Sequence, residues 1–248
     1  MRTLIFGFGL VAGIAALLLP SCRHELVLPF DGTDPQDTVP PPPVDSGDYT
    51  GVPCSPDTVY FVNQILPLIV SQCARSGCHD ALAHKEGVVL TDYQNIISTG
   101  KVKAGNPSNS KLYTVLNKSD PQERMPPAPD AALTAEQKNL IKKWIEQGAK
   151  NNECNENYGG CDTTNVTYAN FVSALMANQC TGCHGAVNPS GGIKLSTYAE
   201  VKSSGLSGRL YGSVAHVAGY KAMPDGAPAM SPCFVNKIKS WVDKGMPQ

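Results

Sequence analysis

The sequence predicts a mainly α-helical protein in which two small tandem helical domains follow a signal segment and a disordered tether. Three observations lead to this prediction. The chain after residue 53 divides into two halves that carry the same residue types in the same order. Several segments of each half have apolar residues at helical spacing, and the N-terminal segment has the composition of an export signal followed by a linker.

Residues 1–21 are predicted to be a signal segment. Arg2 supplies a positive charge, residues 4–19 are almost entirely apolar, and Cys22 follows shortly afterwards. Leu19-Pro20-Ser21-Cys22 is similar to a bacterial lipoprotein signal, in which the cysteine becomes the acylated first residue. An uncleaved helix is the alternative, because the apolar run is near the length that spans a bilayer. Both interpretations predict export to the periplasm or cell surface and attachment to a bacterial membrane, which we expect to be the outer membrane.

Residues 22–53 are predicted to be a flexible tether. Apolar residues are too sparse there to repay the cost of ordering, and the run from Pro40 to Pro43 favours an extended chain. The net charge of the protein is −1 and only 17% of its residues are charged. No nucleic-acid partner is expected, because nucleic acid would call for a basic surface.

The chain after the tether is an internal repeat, with domains predicted at 54–154 and 161–248 and a linker at 155–160. Each half contains a cysteine 19 residues before a cysteine motif, a Gly-x-x-Leu-x-x-Tyr segment, a Leu-Tyr pair, a Met-Pro pair and a Trp-x-x-x-Gly segment. The corresponding residues are Cys54 and Cys161, Gly87 and Gly192, Leu112 and Leu210, Met125 and Met223, and Trp144 and Trp241. Recurrence at a fixed spacing predicts two copies of one fold.

The cysteine motif of each half is predicted to follow a helix. Apolar segments at 59–73 and 168–180 lead into the two motifs. Thr91 and Ser196 are the predicted N-caps of short helices after them.

The last helix of each half has both a start signal and a stop signal. Thr134 opens a capping-box pattern, and Ser231 precedes a proline at the first helical position. A glycine after each helix is typical of a helix C-terminus.

The stretch Cys180-Thr181-Gly182-Cys183-His184 predicts covalent attachment of a c-type haem. Cys180 and Cys183 would form thioethers with the two vinyl groups, and His184 would be the proximal ligand of the iron. A redox-active cysteine pair or half of a zinc site is the alternative. Zinc would need two further Cys or His ligands at short spacing, and a thioredoxin-like site would need a βαβ context. The flanking sequence offers neither.

The first half carries a longer version of this motif, Cys73-Ala74-Arg75-Ser76-Gly77-Cys78-His79. A loop with two extra residues can still present both sulfurs if it bulges, so haem attachment at Cys73 and Cys78 is possible, with His79 as proximal ligand. A disulfide between the two cysteines is the alternative. The other landmarks of the repeat recur around this motif, and they favour a second haem c.

Met125 and Met223 are the predicted distal ligands. A thioether is a soft donor to iron, and the proline after each methionine would fix the direction of the loop. Met230 and His216 are rival ligands in the second half. Met230 aligns with Leu133 just before a helix N-cap, so it is interpreted as a hydrophobic staple. His216 would give bis-histidine ligation, and it has no histidine counterpart in the first half.

Four of the nine cysteines remain after Cys22 and the four haem-binding cysteines. They predict two disulfides in an oxidising compartment. We favour Cys54–Cys154 and Cys161–Cys233, while a Cys154–Cys161 bridge across the linker stays open.

The first half resembles a cytochrome c domain of the planctomycete type. The resemblance rests on Cys78-His79-Asp80, Gly105-Asn106-Pro107, Leu112-Tyr113, Arg124-Met125-Pro126-Pro127 and Trp144-Ile145. The second half lacks the Gly-x-Pro segment, and its matching residues are Cys180, Cys183, His184 and Met223. Similar domains occur in exported lipoproteins of Bacteroidetes-like bacteria. The resemblance implies two tandem small cytochrome c-like helical domains, haem binding and electron transfer to redox partner proteins that the sequence does not identify.

The resulting hypothesis is a membrane-anchored electron carrier with two haem c groups. We expect no enzymatic activity, because an iron with both axial positions filled by protein has no open site for a substrate. Two alternatives remain. One is a di-haem peroxidase-like oxidoreductase with a displaceable distal ligand, and the other is a haem-free interaction module with disulfides in both motifs.

Overall fold

The computed structural model describes residues 51–225 and 229–248, which belong to one compact unit. The predicted signal segment, Cys22 and nearly all of the tether lie outside the described residues. The mainly α prediction is confirmed, because the described residues form helices and turns and contain no strand, only an isolated bridge between Pro53 and Asn155. None of the helices in these two ranges is long and apolar enough to cross a membrane.

Residues 54–154, here called the first repeat, contain four helices. They are α1 (Leu66–Gln72), α2 (Tyr93–Thr99), α3 (Lys111–Thr114) and α4 (Ala135–Glu146). A π-helical turn at Phe61–Ile65 leads into α1, and 3-10 turns lie at Lys85–Gly87, Pro107–Asn109 and Val115–Asn117.

Residues 161–248, here called the second repeat, follow the same order. Their helices are α5 (Ser173–Gln179), α6 (Tyr198–Leu206), α7 (Arg209–Val214) and α8 (Pro232–Asp243). A π-helical turn at Tyr168–Val172 leads into α5, and a 3-10 turn lies at Ser190–Gly192. The second repeat is shorter because α6 passes almost directly into α7 through Gly208, at φ +72°, where the first repeat has its Pro107–Asn109 turn.

The short helices after the motifs begin one residue later than the sequence predicts. The N-caps are Asp92 and Thr197, whose side chains accept hydrogen bonds from the backbone N–H groups of Asn95 and Glu200. Thr91 and Ser196 were therefore wrong as N-caps. All four residues are of types that cap helices well. Only the side chains of Asp92 and Thr197, however, reach the backbone N–H three residues later.

The final helices begin and end where the sequence predicts. Thr134 and Gln137 form a capping box at α4, and Ser231 accepts a hydrogen bond from the backbone N–H of Phe234 at α8. Gly148 and Gly245 follow the two helices with φ values of +97° and +77°, a left-handed conformation that glycine adopts without strain.

The apolar side chains form two hydrophobic cores, one in each repeat. Trp144 and Trp241 are fully buried in them. Each indole N–H donates to a carbonyl six residues later, that of Lys150 at 3.0 Å and that of Pro247 at 2.8 Å. This shared bond supports the repeat at the level of single atoms, while the exact domain bounds stay predictions.

A second bond recurs between the short helix and the C-terminal end of each repeat. The Tyr93 hydroxyl donates to the carbonyl of Ala149 at 2.9 Å, and the Tyr198 hydroxyl donates to the carbonyl of Met246 at 2.7 Å. Both tyrosine rings also make edge-to-face contacts with an aromatic ring of the π-helical turn, with centroids 5.1 Å apart in each repeat.

Two disulfides close the repeats. Cys54 and Cys154 are bonded with Cα atoms 5.0 Å apart, and Cys161 and Cys233 are bonded with Cα atoms 5.5 Å apart. The favoured pairing is confirmed, and the alternative bridge between Cys154 and Cys161 is not formed.

Candidate functional site

The motif of the second repeat is a tight turn at the end of α5. Cys180 is the C-cap of this helix, and its N–H donates to the carbonyl of Met176 at 2.9 Å. The N–H groups of Cys183 and His184 both donate back to the carbonyl of Cys180, at 3.2 and 2.8 Å. The turn therefore holds both cysteines and the histidine at one helix end.

The motif of the first repeat reaches the same closure with two more residues. Cys73 is the C-cap of α1, and the N–H of His79 donates to the carbonyl of Cys73 at 3.2 Å, as His184 does to Cys180. The extra length is taken up by a turn in which the N–H of Cys78 donates to the carbonyl of Arg75 at 2.9 Å. Gly77 is the second central residue of this turn and has φ +82°, a conformation that glycine adopts without strain. The loop bulges in its centre, and the histidine keeps its position relative to the first cysteine.

Each motif histidine is oriented by a backbone carbonyl nine residues later. His79 Nδ1 lies 3.3 Å from the carbonyl oxygen of Val88, and His184 Nδ1 lies 3.2 Å from that of Ile193. A carbonyl can only accept, so this contact assigns the proton to Nδ1 and leaves Nε2 as the nitrogen with a free lone pair. Iron-binding histidines typically have such a partner on the other ring nitrogen.

The four motif cysteines are free thiols, partly shielded from solvent. Burial raises the pKa of Cys73 and of Cys180 to about 12. Burial also raises the pKa of Cys183, although the positive charge of the Arg75 guanidinium acts in the opposite direction and lowers it. Thiols with raised pKa values are mainly protonated at neutral pH, whereas the reactive cysteines of redox motifs are thiolates with lowered pKa values.

The two Met-Pro loops are held by the same backbone bond. The N–H of Met125 donates to the carbonyl of Val115 and that of Met223 donates to the carbonyl of Ser213, both at 3.0 Å. Both Met-Pro peptide bonds are cis. The side chain of Met125 packs against the first core.

The two rival ligands lie on either side of the second Met-Pro loop. Met230 packs against the second core just before the N-cap of α8, and buried Leu133 occupies the equivalent place before α4. His216 is exposed in a left-handed conformation, and its Nε2 lies 3.0 Å from the carbonyl oxygen of Met223. The ring of His216 therefore contacts the backbone of the loop that carries its rival.

Two partly buried arginines, Arg75 within the first motif and Arg124 before Met125, were missed by the sequence reasoning. Arg75 forms an ion pair with the carboxylate of Asp130, and Arg124 Nη2 donates to the backbone carbonyl of the same residue at 3.2 Å. Within the described part of the chain, Arg75 Nε and Arg124 Nη1 are buried without a hydrogen-bond partner. The signals in the sequence were an arginine inside the lengthened motif and the arginine of the Arg-Met-Pro-Pro segment, neither of which was given a role.

These features fit a haem. Each repeat contains two thiols that could attach to the vinyl groups, an imidazole with a free Nε2 and a methionine thioether, and haem carboxylates would suit the guanidinium N–H groups of the first repeat that lack a partner. The described ranges contain no cluster of three or more His, Cys, Asp or Glu side chains that could hold a metal ion. A haem iron does not require one, because the porphyrin supplies four of its ligands.

The two motifs lie against each other. Ser71 Oγ donates to the carbonyl of Asn178 at 2.8 Å, and Gln72 Nε2 donates to the carbonyl of Ala177 at 3.1 Å, so the end of α1 contacts the end of α5. A Cβ atom at Gly182 would lie 1.8 Å from the carbonyl oxygen of Ser71. Only glycine allows this close approach of the two backbones.

Comparison with known proteins gives one family. Residues 76–129 match the family described as planctomycete cytochrome C. The matched segment contains Cys78, His79 and Met125 and begins three residues after Cys73. No curated protein and no solved structure matches the chain.

Proposed function

We propose that this chain, which carries a planctomycete-type cytochrome c domain, is an exported di-haem electron carrier. The family match supports a haem protein that transfers electrons. The observation that carries the proposal of two haems is the shared geometry of the motifs, in which a free cysteine pair at a helix end is followed by a histidine whose Nδ1 is bonded to a backbone carbonyl.

In this proposal each haem is held by its own repeat. Cys73 and Cys78 tether one haem and Cys180 and Cys183 tether the other, with His79 and His184 as proximal ligands and Met125 and Met223 as distal ligands. The bound haem supplies a one-electron couple. The protein fixes the orientation of each imidazole through the carbonyls of Val88 and Ile193 and holds each methionine loop by its backbone. A filled coordination sphere favours electron transfer over substrate chemistry.

We further propose that the protein acts at a membrane. Acylation of Cys22 would anchor it to a bacterial membrane, for which we propose the outer membrane, facing the periplasm or the cell surface. The tether would keep the haem domains near membrane-bound redox partner proteins and raise their effective concentration there.

Mass spectrometry of matched variants tests the proposed function. The protein is expressed with a cytochrome c maturation system, and its intact mass should show two haem additions. Cys73→Ser with Cys78→Ser should remove one haem, and Cys180→Ser with Cys183→Ser should remove the other. A single addition in the unchanged protein would show that the longer motif attaches no haem, and none at all would favour the haem-free interaction module.

Enzyme assays separate the carrier from the oxidoreductase alternative. An electron carrier should exchange electrons with a small redox dye and should not turn over peroxide with a reduced donor. Sustained peroxide turnover would instead indicate an open or displaceable distal position, and the di-haem peroxidase hypothesis would then replace the carrier.

A further inference from the structure

Arg75 connects three segments that are separate in the sequence. It belongs to the attachment loop of the first repeat, between Cys73 and Cys78. Its Nη2 pairs with the carboxylate of Asp130, on the loop that carries Met125. Its Nη1 donates to the carbonyl of Gly182 at 2.9 Å, inside the attachment loop of the second repeat.

The lengthened motif is what makes this reach possible. The second motif has two residues between its cysteines and the first has four, and Arg75 is within the added bulge. The Arg75 side chain reaches from this bulge to the carbonyl of Gly182, the residue whose backbone meets that of Ser71. The bulge therefore directs a cationic side chain across the contact between the repeats.

The guanidinium is charged and partly shielded from water. Only 21% of the Arg75 side chain is exposed. Although burial acts against the charged form, the hydrogen bond that Arg75 donates to the Asp130 carboxylate raises the pKa of Arg75 above its ordinary value. The charge is paired with the Asp130 carboxylate, so replacing Arg75 by a neutral residue would leave a negative charge unpaired in partly shielded surroundings, where its field is less screened than at an open surface.

We infer that Arg75 is a positioning residue shared by the two haem sites, which fixes the attachment loop of the second repeat and raises the reduction potential of both haems. The inference rests on the proposed function for the presence of haem. A positive charge near a haem stabilises the reduced form, which carries one positive charge fewer than the oxidised form. Arg75 therefore belongs to the electrostatic surroundings of both sites, although it lies in the sequence of one repeat.

Three variants separate charge from geometry and one repeat from the other. Arg75→Gln removes the charge, and Arg75→Lys keeps the charge but loses the planar fork that contacts Asp130 and Gly182 together. Arg124→Gln is the matched control, because Arg124 contacts the backbone of Asp130. Its removal takes one charge from the first repeat and leaves the Arg75 contact with Gly182 in place.

The first measurement is a potentiometric titration of each variant after its intact mass has shown which motifs carry haem. We expect Arg75→Gln to change the oxidised-to-reduced equilibrium of both haems by about three- to tenfold, where tenfold corresponds to about 59 mV for a one-electron couple. Arg75→Lys should stay near the unchanged protein, and Arg124→Gln should affect the first haem alone. A fall confined to the first haem in Arg75→Gln, or no fall at all, would overturn the inference while leaving the proposed function intact.

The second measurement requires no haem and tests the geometric part. Hydrogen exchange at the amides of Cys183 and His184 should accelerate in both Arg75 variants and stay unchanged in Arg124→Gln. Unchanged exchange in both Arg75 variants would overturn the positioning role even where Arg75→Gln fails to load haem.

If mass spectrometry finds haem on the second repeat only, the proposed haem number is wrong, yet Arg75→Gln should still lower the reduction potential of that haem. A constant potential in that case would overturn the inference as well.

Discussion

The imidazole Nε2 of His216 lies 3.0 Å from the backbone carbonyl oxygen of Met223. The two residues were alternative ligands in the sequence, and in the structure one contacts the main chain of the other. The arrangement favours a division of roles in which His216 steadies the loop and Met223 supplies the ligand.

Replacing the methionine of either loop is expected to open one coordination position. Met125→Ala or Met223→Ala should leave haem attached, because the thioethers and proximal histidines are unchanged. Each should lower the potential of its haem and allow carbon monoxide to bind the ferrous form. Met230→Ala is the control, and it should only weaken packing before α8, by about 1–3 kcal/mol for a partly buried methionine.

Absorption spectra of the oxidised protein check this assignment. The weak band of a thioether bound to iron should disappear in part with either Met125→Ala or Met223→Ala. Its persistence in Met223→Ala together with its partial loss in Met230→Ala would identify Met230 as the ligand. Loss of low-spin ferric character in His216→Ala, with no change in Met223→Ala, would instead indicate histidine ligation.

Gly182→Ala is expected to disturb the contact between the repeats. The new Cβ would meet the backbone carbonyl of Ser71, which has little freedom to shift, so we expect a loss of about 1–3 kcal/mol in the free energy of unfolding. Gly205→Ala is the matched control in the same repeat, because its Cβ would meet the flexible thioether end of Met246. Denaturant unfolding compares the two. Equal stability of Gly182→Ala and the unchanged protein would show that the backbones are not in contact at this point.

Removing the first disulfide should destabilise the folded protein strongly. The bridge joins residues 100 apart in the chain, and Cys54→Ser with Cys154→Ser should lower the free energy of unfolding by about 4–5 kcal/mol in the chain-entropy account. Cys161→Ser with Cys233→Ser opens a loop of 72 residues and should give a slightly smaller loss. Denaturant titration of both pairs measures the difference, and a variant with unchanged stability would mean that its bridge does not form.

The N-cap residue of α2 is a titrating aspartate, whereas the N-cap residue of α6 is a threonine, so the two caps should differ in their response to acid. Hydrogen bonding, first from the backbone N–H of Asn95, lowers the pKa of Asp92 below its ordinary value. The stability that this carboxylate contributes is complete above the ordinary aspartate pKa of about 3.9 and is lost as the pH falls through the lowered value. The equivalent cap, Thr197, does not titrate.

Unfolding at pH 6 and near pH 3 tests this difference. Asp92→Asn should be less sensitive to acid than the unchanged protein, because it removes a titrating cap and keeps a capping side chain. Thr197→Ala should cost about 1 kcal/mol at both pH values. An identical acid response in Asp92→Asn and the unchanged protein would contradict the prediction.

Cys22→Ser is expected to release the protein from membranes without loss of haem. The substitution removes the acylated residue of the predicted lipoprotein signal and leaves every haem-binding residue in place. Fractionation after washing, followed by haem staining of both fractions, measures the outcome. A variant that stays with the membrane would indicate that the anchor is an uncleaved N-terminal helix.

The internal repeat made much of this fold predictable. Trp144 and Trp241 stand at the same offset from a glycine, and the structure gives them the same burial and the same bond. The cap positions were harder, since adjacent residues such as Thr91 and Asp92 can both cap a helix. Which of the two caps the helix depends on whether its side chain reaches a free backbone N–H, and the sequence does not show this distance.

The contact between the repeats could not be predicted from either half. Gly182 occupies a position of its motif that any residue can fill, and nothing local explains why it is glycine. The reason is the backbone of Ser71 in the other repeat. Arg75 was likewise an unremarked loop residue until the packing of the two halves brought the Gly182 carbonyl to within 2.9 Å of its Nη1.

The disulfide of the first repeat has a consequence for how such chains can change over time. Because Cys54 and Cys154 are bonded and Pro53 forms a bridge with Asn155, the chain enters and leaves this unit at nearly one point. A unit whose ends coincide can be inserted, deleted or duplicated with little displacement of its neighbours. The flanking chain could therefore be rejoined across the first repeat with little displacement, while the contacts of Ser71 and Arg75 with the second repeat would be lost.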